Sequence, residues 1–276
     1  MRNSRKILML ILTACISIVY SQNTTSSIIS QDSIKLKVDS FLPFKTEITK
    51  INYSGMSDAD YRQMEQISWN PITKDSIAYL SSDIDLNRYT LYPEMEKLIN
   101  GFTRSACCRA YSASLTSTDG RKMYALEIGS GTDAIVFTAG VHAREVANPQ
   151  FILKYACSLI NGFEKSDSAI VQLLQKVKII ILPCVNPDGY SVTIEGKKAI
   201  HNRQLFYSSY RDKDLFQWKS NGDGVDLNHS FPNYSAGICW KGIKSTWMIS
   251  DKPGNWNYAG PRLGTENETK VAMSFL

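Results

Sequence analysis

Between Arg88 and Leu182 the apolar positions fall into periods that alternate between helix and strand. Leu91, Met95, Leu98, Ile99 and Phe102 recur three and four residues apart, which puts them on one face of an amphipathic helix. Residues 108–116 and 121–128 read as two strands joined at Thr118-Asp119-Gly120, a hairpin signal. Residues 134–139 form a short apolar run closed by Gly140, the pattern of a buried strand. Pro149 opens a helix that carries Phe151, Ile152, Tyr155, Ala156 and Leu159 on one face, and another helix covers about 168–175. Val177–Leu182 is continuous and rich in β-branched residues, as strands buried on both faces are. The alternation predicts an α/β fold with a mixed, mostly parallel sheet and helices on both faces.

Before Arg88 the pattern weakens. Arg2, Arg5 and Lys6 precede an apolar run over 7–20, and Ser/Thr-rich sequence follows. Basic, apolar, then small or polar is the order of a secretory signal peptide, and the run is short for a stable membrane span. Val19 and Ser21 suit cleavage before Gln22. Leu12-Thr13-Ala14-Cys15 also has the form of a lipoprotein box, but the apolar stretch after Cys15 disfavours lipid anchoring there. The expected organisation is a signal peptide over 1–21, a leader or pro-segment of unassigned role over 22–87, and the chemical domain over 88–276. Export places the protein outside the cytoplasm, whether secreted, periplasmic or at the cell surface.

Composition narrows the picture only slightly. Of the 276 residues 43% are hydrophobic and 21% charged, ordinary for a globular chain. The net charge of +5 is spread without a basic block or interleaved aromatics, which excludes a nucleic-acid partner. Apart from Cys15 there are Cys107, Cys108, Cys157, Cys184 and Cys239, an odd number with no zinc-ribbon spacing. Cys157 and Cys184 lie in apolar segments and read as buried free thiols.

Ligand sites in α/β sheets gather outside the carboxyl ends of strands, and two polar segments fall there: 140–145 and 185–190. In the first, His142 and Glu145 stand three apart on the turn after a buried strand. An imidazole and a carboxylate at that spacing are able to grip one zinc ion together.

The surrounding residues make that pairing specific. Gly140-Val141-His142-Ala143-Arg144-Glu145, with Asn148-Pro149 after it, closely resembles the zinc-binding signature of the carboxypeptidase A-type metallocarboxypeptidases. Thr118-Asp119-Gly120-Arg121 with Tyr124-Ala125-Leu126 resembles that family's Gly-Arg hairpin. Val185-Asn186-Pro187-Asp188-Gly189-Tyr190 resembles its Asn-Pro-Asp-Gly turn. Gly224-Val225-Asp226-Leu227-Asn228, followed by Phe231-Pro232, resembles its substrate-pocket strand. Gly260-Pro261 with Thr265-Glu266 and Glu268-Thr269 resembles the segment before its last catalytic stretches. The blocks run in order from about Arg88 to the C-terminus.

The resemblance implies a zinc metallopeptidase acting by zinc-activated water, with Zn2+ as cofactor and His142 and Glu145 as metal ligands. It implies that Arg144 binds or polarises the substrate carbonyl, and that Asn228 holds the substrate's terminal carboxylate or its equivalent. The partner is then a peptide, or the peptide of peptidoglycan. The third ligand, a histidine, and the catalytic glutamate are implied beyond Leu276. No catalytic general base is therefore expected within these residues, and the domain is expected to be truncated on its C-terminal side.

Two positions depart from the family pattern. His229 stands where the family carries the arginine that pairs with a C-terminal carboxylate, and imidazole replaces a bidentate guanidinium poorly. Trp218-Lys219-Ser220-Asn221 resembles relatives that cut bacterial cell-wall peptides, and Lys219 stands near the place of an oxyanion-stabilising arginine. This keeps a cell-wall peptide hydrolase and a catalytically inactive peptide-binding relative open beside the carboxypeptidase. His229 is a candidate replacement ligand, and His201 reads as a surface residue. Glu266 and Glu268 read as acidic residues favouring a helix N-terminus.

Overall fold

The computed structural model describes residues 56–73, 84–202, 217–232, 250, 252–255 and 257–275, together with the backbones of four N-terminal strands. Those strands are β1 (Ile7–Leu12), β2 (Ile16–Tyr20), β3 (Lys35–Lys37) and β4 (Glu47–Thr49). Then come α1 (Asp58–Glu65), β5 (Trp69–Pro71), α2 (Tyr92–Phe102), β6 (Cys108–Ala113), β7 (Tyr124–Ile128), β8 (Asp133–Thr138) and α3 (Ala147–Glu164). They are followed by α4 (Ser168–Lys176), β9 (Val177–Leu182) and α5 (Pro187–Glu195). After a 3-10 turn at Gly196–Ala199 the described helices are a short α6 (Leu227–Ser230) and α7 (Asn267–Phe275).

The strands form one sheet in the order β2-β1-β8-β9-β7-β6-β5, with β3 and β4 paired apart. The sheet is mixed, and helices cover both of its faces, which is the expected α/β architecture. Parallel pairing joins β1 to β8 and β8 to β9, and the remaining neighbours run antiparallel, so less of the sheet is parallel than the periodicity predicts. The apolar run that reads as an export signal supplies β1 and β2. The lipoprotein cysteine Cys15, the cleavage position before Gln22, and Cys239 lie outside the described residues.

Alternation along the strands sorts the core into two layers. Leu126, Ile128, Ile179 and Ile181 face α2, α3 and α4, where Phe102, Leu153 and Ile160 close the layer. Ala125, Ile180 and Leu182 face the other way, onto Val225, Leu227, Val271 and Phe275. Helix α3 turns differently from its sequence pattern. Its packed stripe is Ile152, Leu153, Ala156, Leu159 and Ile160, while Phe151 is 55% and Tyr155 38% exposed. Those two residues, one turn apart, flank the stripe, and Tyr155 meets Phe137 edge-on with ring centroids 5.9 Å apart. Strand β7 also begins later than 121, because Arg121 is drawn into an ionic cluster.

Residues 56–73, within the unassigned leader, are part of this body. β5 pairs with β6 at the sheet edge, and Trp69 packs its ring on Phe275 with centroids 5.3 Å apart. Ser57 caps α1 by accepting from the Asp60 N–H. Asp60 Oδ1 then meets the buried Lys270 Nζ of α7 at 2.9 Å, and Gln63 Oε1 accepts from the same ammonium at 2.8 Å.

The Asp119–Arg121–Asp188 cluster fastens the hairpin turn to the start of α5. Arg121 Nη1 lies 2.9 Å from both Asp119 Oδ2 and Asp188 Oδ1, with all three side chains buried. Asp188 also accepts from Ser117 Oγ and the Asp119 N–H, each at 2.7 Å. His201 lies over this cluster with its side chain 61% exposed, a surface position. Replacing Arg121 by Met leaves two buried carboxylates without a cation. The expected loss is about 3–5 kcal/mol of unfolding free energy, read by urea denaturation; a loss below about 1 kcal/mol refutes the clamp.

Candidate metal centre

The chain reaches the site at the carboxyl ends of β8 and β9. Past Thr138 it turns through Gly140, whose φ of +64° and crowding exclude a side chain: a Cβ there would meet Pro149 Cγ at 2.8 Å and Cys184 Sγ at 3.2 Å. Asn186 caps α5, and Pro187 occupies its first turn, so the Asn-Pro-Asp-Gly segment is a helix start. The Asn186 amide also donates to the Val141 and Ser220 carbonyls, tying three loops together. Gly189 allows this approach, since a Cβ would stand 2.6 Å from Ala143 Cβ and the Ser220 oxygen.

This frame presents His142 and Glu145 between β8 and α3. His142 Nδ1 lies 2.7 Å from Glu145 Oε1, so the two expected ligand atoms converge. Asn148 Nδ2 reaches the other glutamate oxygen at 3.4 Å. Behind the histidine stands Asp226, fully buried, with Oδ1 3.3 Å from His142 Nε2. Among the described residues neither of these two atoms has another hydrogen-bonding partner. A carboxylate on Nε2 holds a metal-ligating imidazole in the tautomer that leaves Nδ1 bare. The pair therefore fits zinc as two of its ligands, with the orienting carboxylate in place. Among the described residues no three His, Cys, Asp or Glu side chains form a metal-holding group.

Asp226 is the functional residue that the sequence reading passes over. Its segment resembles a pocket strand, but the structure makes Asp226 the residue preceding α6. Lys219 Nζ contacts Asp226 Oδ2 at 2.6 Å, and the lysine side chain is only 12% exposed. The ammonium expected near a reacting carbonyl is paired with this carboxylate. Arg144 is half-buried beside the ligands, and Asn228 is exposed on α6. His229 is half-buried, with Nε2 3.9 Å from Asp226 Oδ2. It is near the site but does not complete a three-donor group.

Glu266 and Glu268 do more than favour a helix end. Both are buried, and Asn221 Nδ2 donates to Glu266 Oε2 at 2.6 Å and to Glu268 Oε2 at 3.2 Å. Glu268 Oε1 accepts the Thr118 N–H at 2.9 Å, so α7, the Asn221 loop and the hairpin turn meet at one carboxylate. Burial raises the pKa of both glutamates.

Burial also governs the histidines. It disfavours the charged form of His142, but contacts with Asp226 and Glu145 outweigh it and hold the ring above its ordinary value. Burial pushes Asp226 up, yet His142 and Lys219 bring it down to about 2. For His229 burial lowers the pKa and prevails over Asp226, with Lys219 and His142 adding to the lowering. His229 is thus a neutral imidazole near pH 7, not a fixed cation. A raised histidine contributes stability that is complete below its unfolded value of 6.5 and is lost as pH rises through the folded value. Asp226 contributes above 3.8 and loses its contribution as pH falls through about 2. Metal-free protein should therefore lose thermal stability as pH rises above 6.5, and His142→Gln should remove that component. Equal slopes in parent and variant would count against the charged bridge.

The sequence profile of zinc carboxypeptidases matches residues 95–276. Human carboxypeptidase B is 28% identical over 164 residues, covering 58% of this chain and 34% of that protein. The gamma-D-glutamyl-L-diamino acid endopeptidase 1 of Lysinibacillus sphaericus is 30% identical over 112 residues, covering 38% and 28%. The inactive metallocarboxypeptidase ECM14 of Arthroderma gypseum is 30% identical over 181 residues, covering 62% and 26%. The matched stretch thus spans about a third or less of these relatives' own length. The crystal structure of thrombin activatable fibrinolysis inhibitor superposes with a TM-score of 0.52 at 23% identity, over 74% of this chain and 48% of that one, a likeness of fold. With the profile match spanning the hairpin, the His142–Glu145 pair and the Asp226 segment, the chain belongs to the zinc carboxypeptidase family.

Proposed function

We propose that this protein is a zinc-dependent hydrolase of peptide or amide bonds, with His142 and Glu145 as two of its metal ligands. The observation that carries the reading is the convergence of His142 Nδ1 and Glu145 Oε1 at 2.7 Å, with a buried carboxylate on the opposite ring nitrogen. When bound, zinc polarises the scissile carbonyl and lowers the pKa of its water to about 7. Asp226 orients His142, and Lys219 neutralises Asp226 where water does not reach. Asn148 steadies the free oxygen of Glu145. Arg144 and Asn228 are the candidates for the substrate carbonyl and its terminal group.

His229 favours one substrate class over another. A neutral imidazole gives a free C-terminal carboxylate no permanent charge to pair with, which supports cleavage at an internal or amide-blocked position. The bacterial endopeptidase relative supports the same second reading, a cell-wall peptide hydrolase. The inactive fungal relative supports a third, peptide binding without hydrolysis. Export belongs to the proposal through the basic and apolar N-terminus. Among the described residues no helix is long and apolar enough to cross a membrane.

The test is peptide hydrolysis by the full-length gene product, abolished by a chelator, restored by zinc, and lost in His142→Ala and Glu145→Ala. Turnover that survives both substitutions overturns the metal assignment, and zinc binding without turnover favours the inactive reading. Asp226→Asn should weaken zinc binding roughly 10–100-fold, as losses of orienting carboxylates do. His229→Arg should shift kcat/KM toward free C-terminal carboxylates over amide-capped peptides by roughly 10–100-fold, the worth of one charge-assisted hydrogen bond. An unchanged ratio would remove His229 from the substrate's terminal group. Mass spectrometry of the exported protein should find Gln22 at its N-terminus.

A further inference from the structure

A cavity of about 430 Å³ opens at the end of the sheet opposite the metal centre. Arg109, Glu127 and Lys178 form its strand-side wall, and Phe163, Val171 and Leu174 of α3 and α4 line the helix side. The turn at 129–132 borders it just before β8 begins, so the length of β8, roughly 20 Å, separates it from His142. That turn is held in place. The Gly129 N–H donates to the Cys107 carbonyl and the Ser130 N–H to the Leu174 carbonyl, each at 2.8 Å. A Cβ on Gly131 would lie 2.1 Å from the Lys176 carbonyl carbon, so glycine is what lets this wall stand against the junction of α4 and β9. The volume falls in the usual range for small-ligand sites.

The strand-side wall is unevenly paired. Arg109 Nη1 at 3.1 Å and Lys178 Nζ at 3.6 Å both meet Glu127 Oε1. Oε2 of the same carboxylate is buried and, among the described residues, has no hydrogen-bonding partner. Buried polar atoms are nearly always paired, so this oxygen calls for a donor. Two cations against one carboxylate also leave positive charge in excess, which calls for an anion. Arg109, 69% exposed, stands at the rim and faces Glu127 directly across β6 and β7. Acceptor and donor thus lie side by side, as an ammonium and a carboxylate borne on one carbon require. The Glu127 carboxyl turns readily about its last torsion, so Oε2 can be presented to the cavity without disturbing the strand. We propose that this cavity binds a free α-amino acid with an apolar side chain. The ammonium lies on Glu127, the carboxylate on Arg109, and the side chain against Phe163, Val171 and Leu174. The site shares no residue with the metal centre and does not rest on the hydrolase reading.

The test is calorimetric titration of the full-length gene product with L-leucine, in a chelator so that no metal competes for the carboxylate. Saturable one-to-one binding is expected. Isocaproate, which lacks the ammonium, and isoamylamine, which lacks the carboxylate, should each bind at least about tenfold more weakly, the worth of one charge-assisted hydrogen bond. Arg109→Met should fold like the parent, because its side chain is mostly exposed and Glu127 keeps Lys178, and should lose leucine by a similar factor. Glu127→Gln keeps the shape and removes the charge, with the same loss expected. Where Glu127→Gln fails to fold, Arg109→Met decides. No leucine uptake at millimolar concentration, equal affinity for either analogue, or unchanged affinity in Arg109→Met overturns the proposal. The titration needs neither zinc nor turnover. A protein that hydrolyses nothing leaves this site standing, and one that hydrolyses peptides but takes up no leucine overturns this site alone.

Discussion

A carboxylate with no access to water must be neutralised where it lies, and the site is organised around that requirement at Asp226. Lys219 supplies a full charge, the Asn257 N–H a dipole, and His142 a ring whose charged form the carboxylate favours. Each comes from a different loop, so one buried charge joins three segments that backbone and Asn186 hydrogen bonds also hold together. Removing any partner leaves a desolvated charge behind, which costs more than the contact itself contributes. The same logic operates on a second scale at Arg121, where one guanidinium holds two carboxylates and joins the hairpin turn to α5.

Parts of this were legible in the sequence because they are local. His142 and Glu145 are close along the chain and follow a buried strand, so spacing and strand pattern together place them. β9 is apolar apart from Lys178, and its burial on both faces follows. Cys157 and Cys184 sit among apolar residues and are buried free thiols. The Asn-Pro-Asp-Gly segment carries its own helix-start chemistry, with Asn capping and Pro in the first turn.

What the sequence hides depends on contacts between distant segments. The role of Asp226 comes from what packs around it, which no local period reports. Lys219 looks available to a substrate until the carboxylate beside it is seen. Glu266 and Glu268 look like dipole partners, but burial and the Asn221 amide make them a clamp. On α3 a one-position rotation of the stripe decides whether Phe151 and Tyr155 are core or surface, and the neighbouring strand settles it. α1 and β5 leave almost no trace because α1 buries only Met64 and β5 is three residues long.

The pairing of α1 with α7 also sets an order of events. Gln63 and Lys270, which meet across that contact, are separated by 207 residues. At roughly 5–20 residues per second of synthesis, α1 waits roughly 10–40 seconds for its partner helix to be made. Through that interval Asp60 has no ammonium to meet and Trp69 has no Phe275 to cover it. The sheet edge at β5 thus stays uncovered until Phe275 has been made, and the nascent chain is open there to chaperones and proteases. A fold whose first described helix is completed by its last described one keeps that helix waiting until synthesis has passed residue 270.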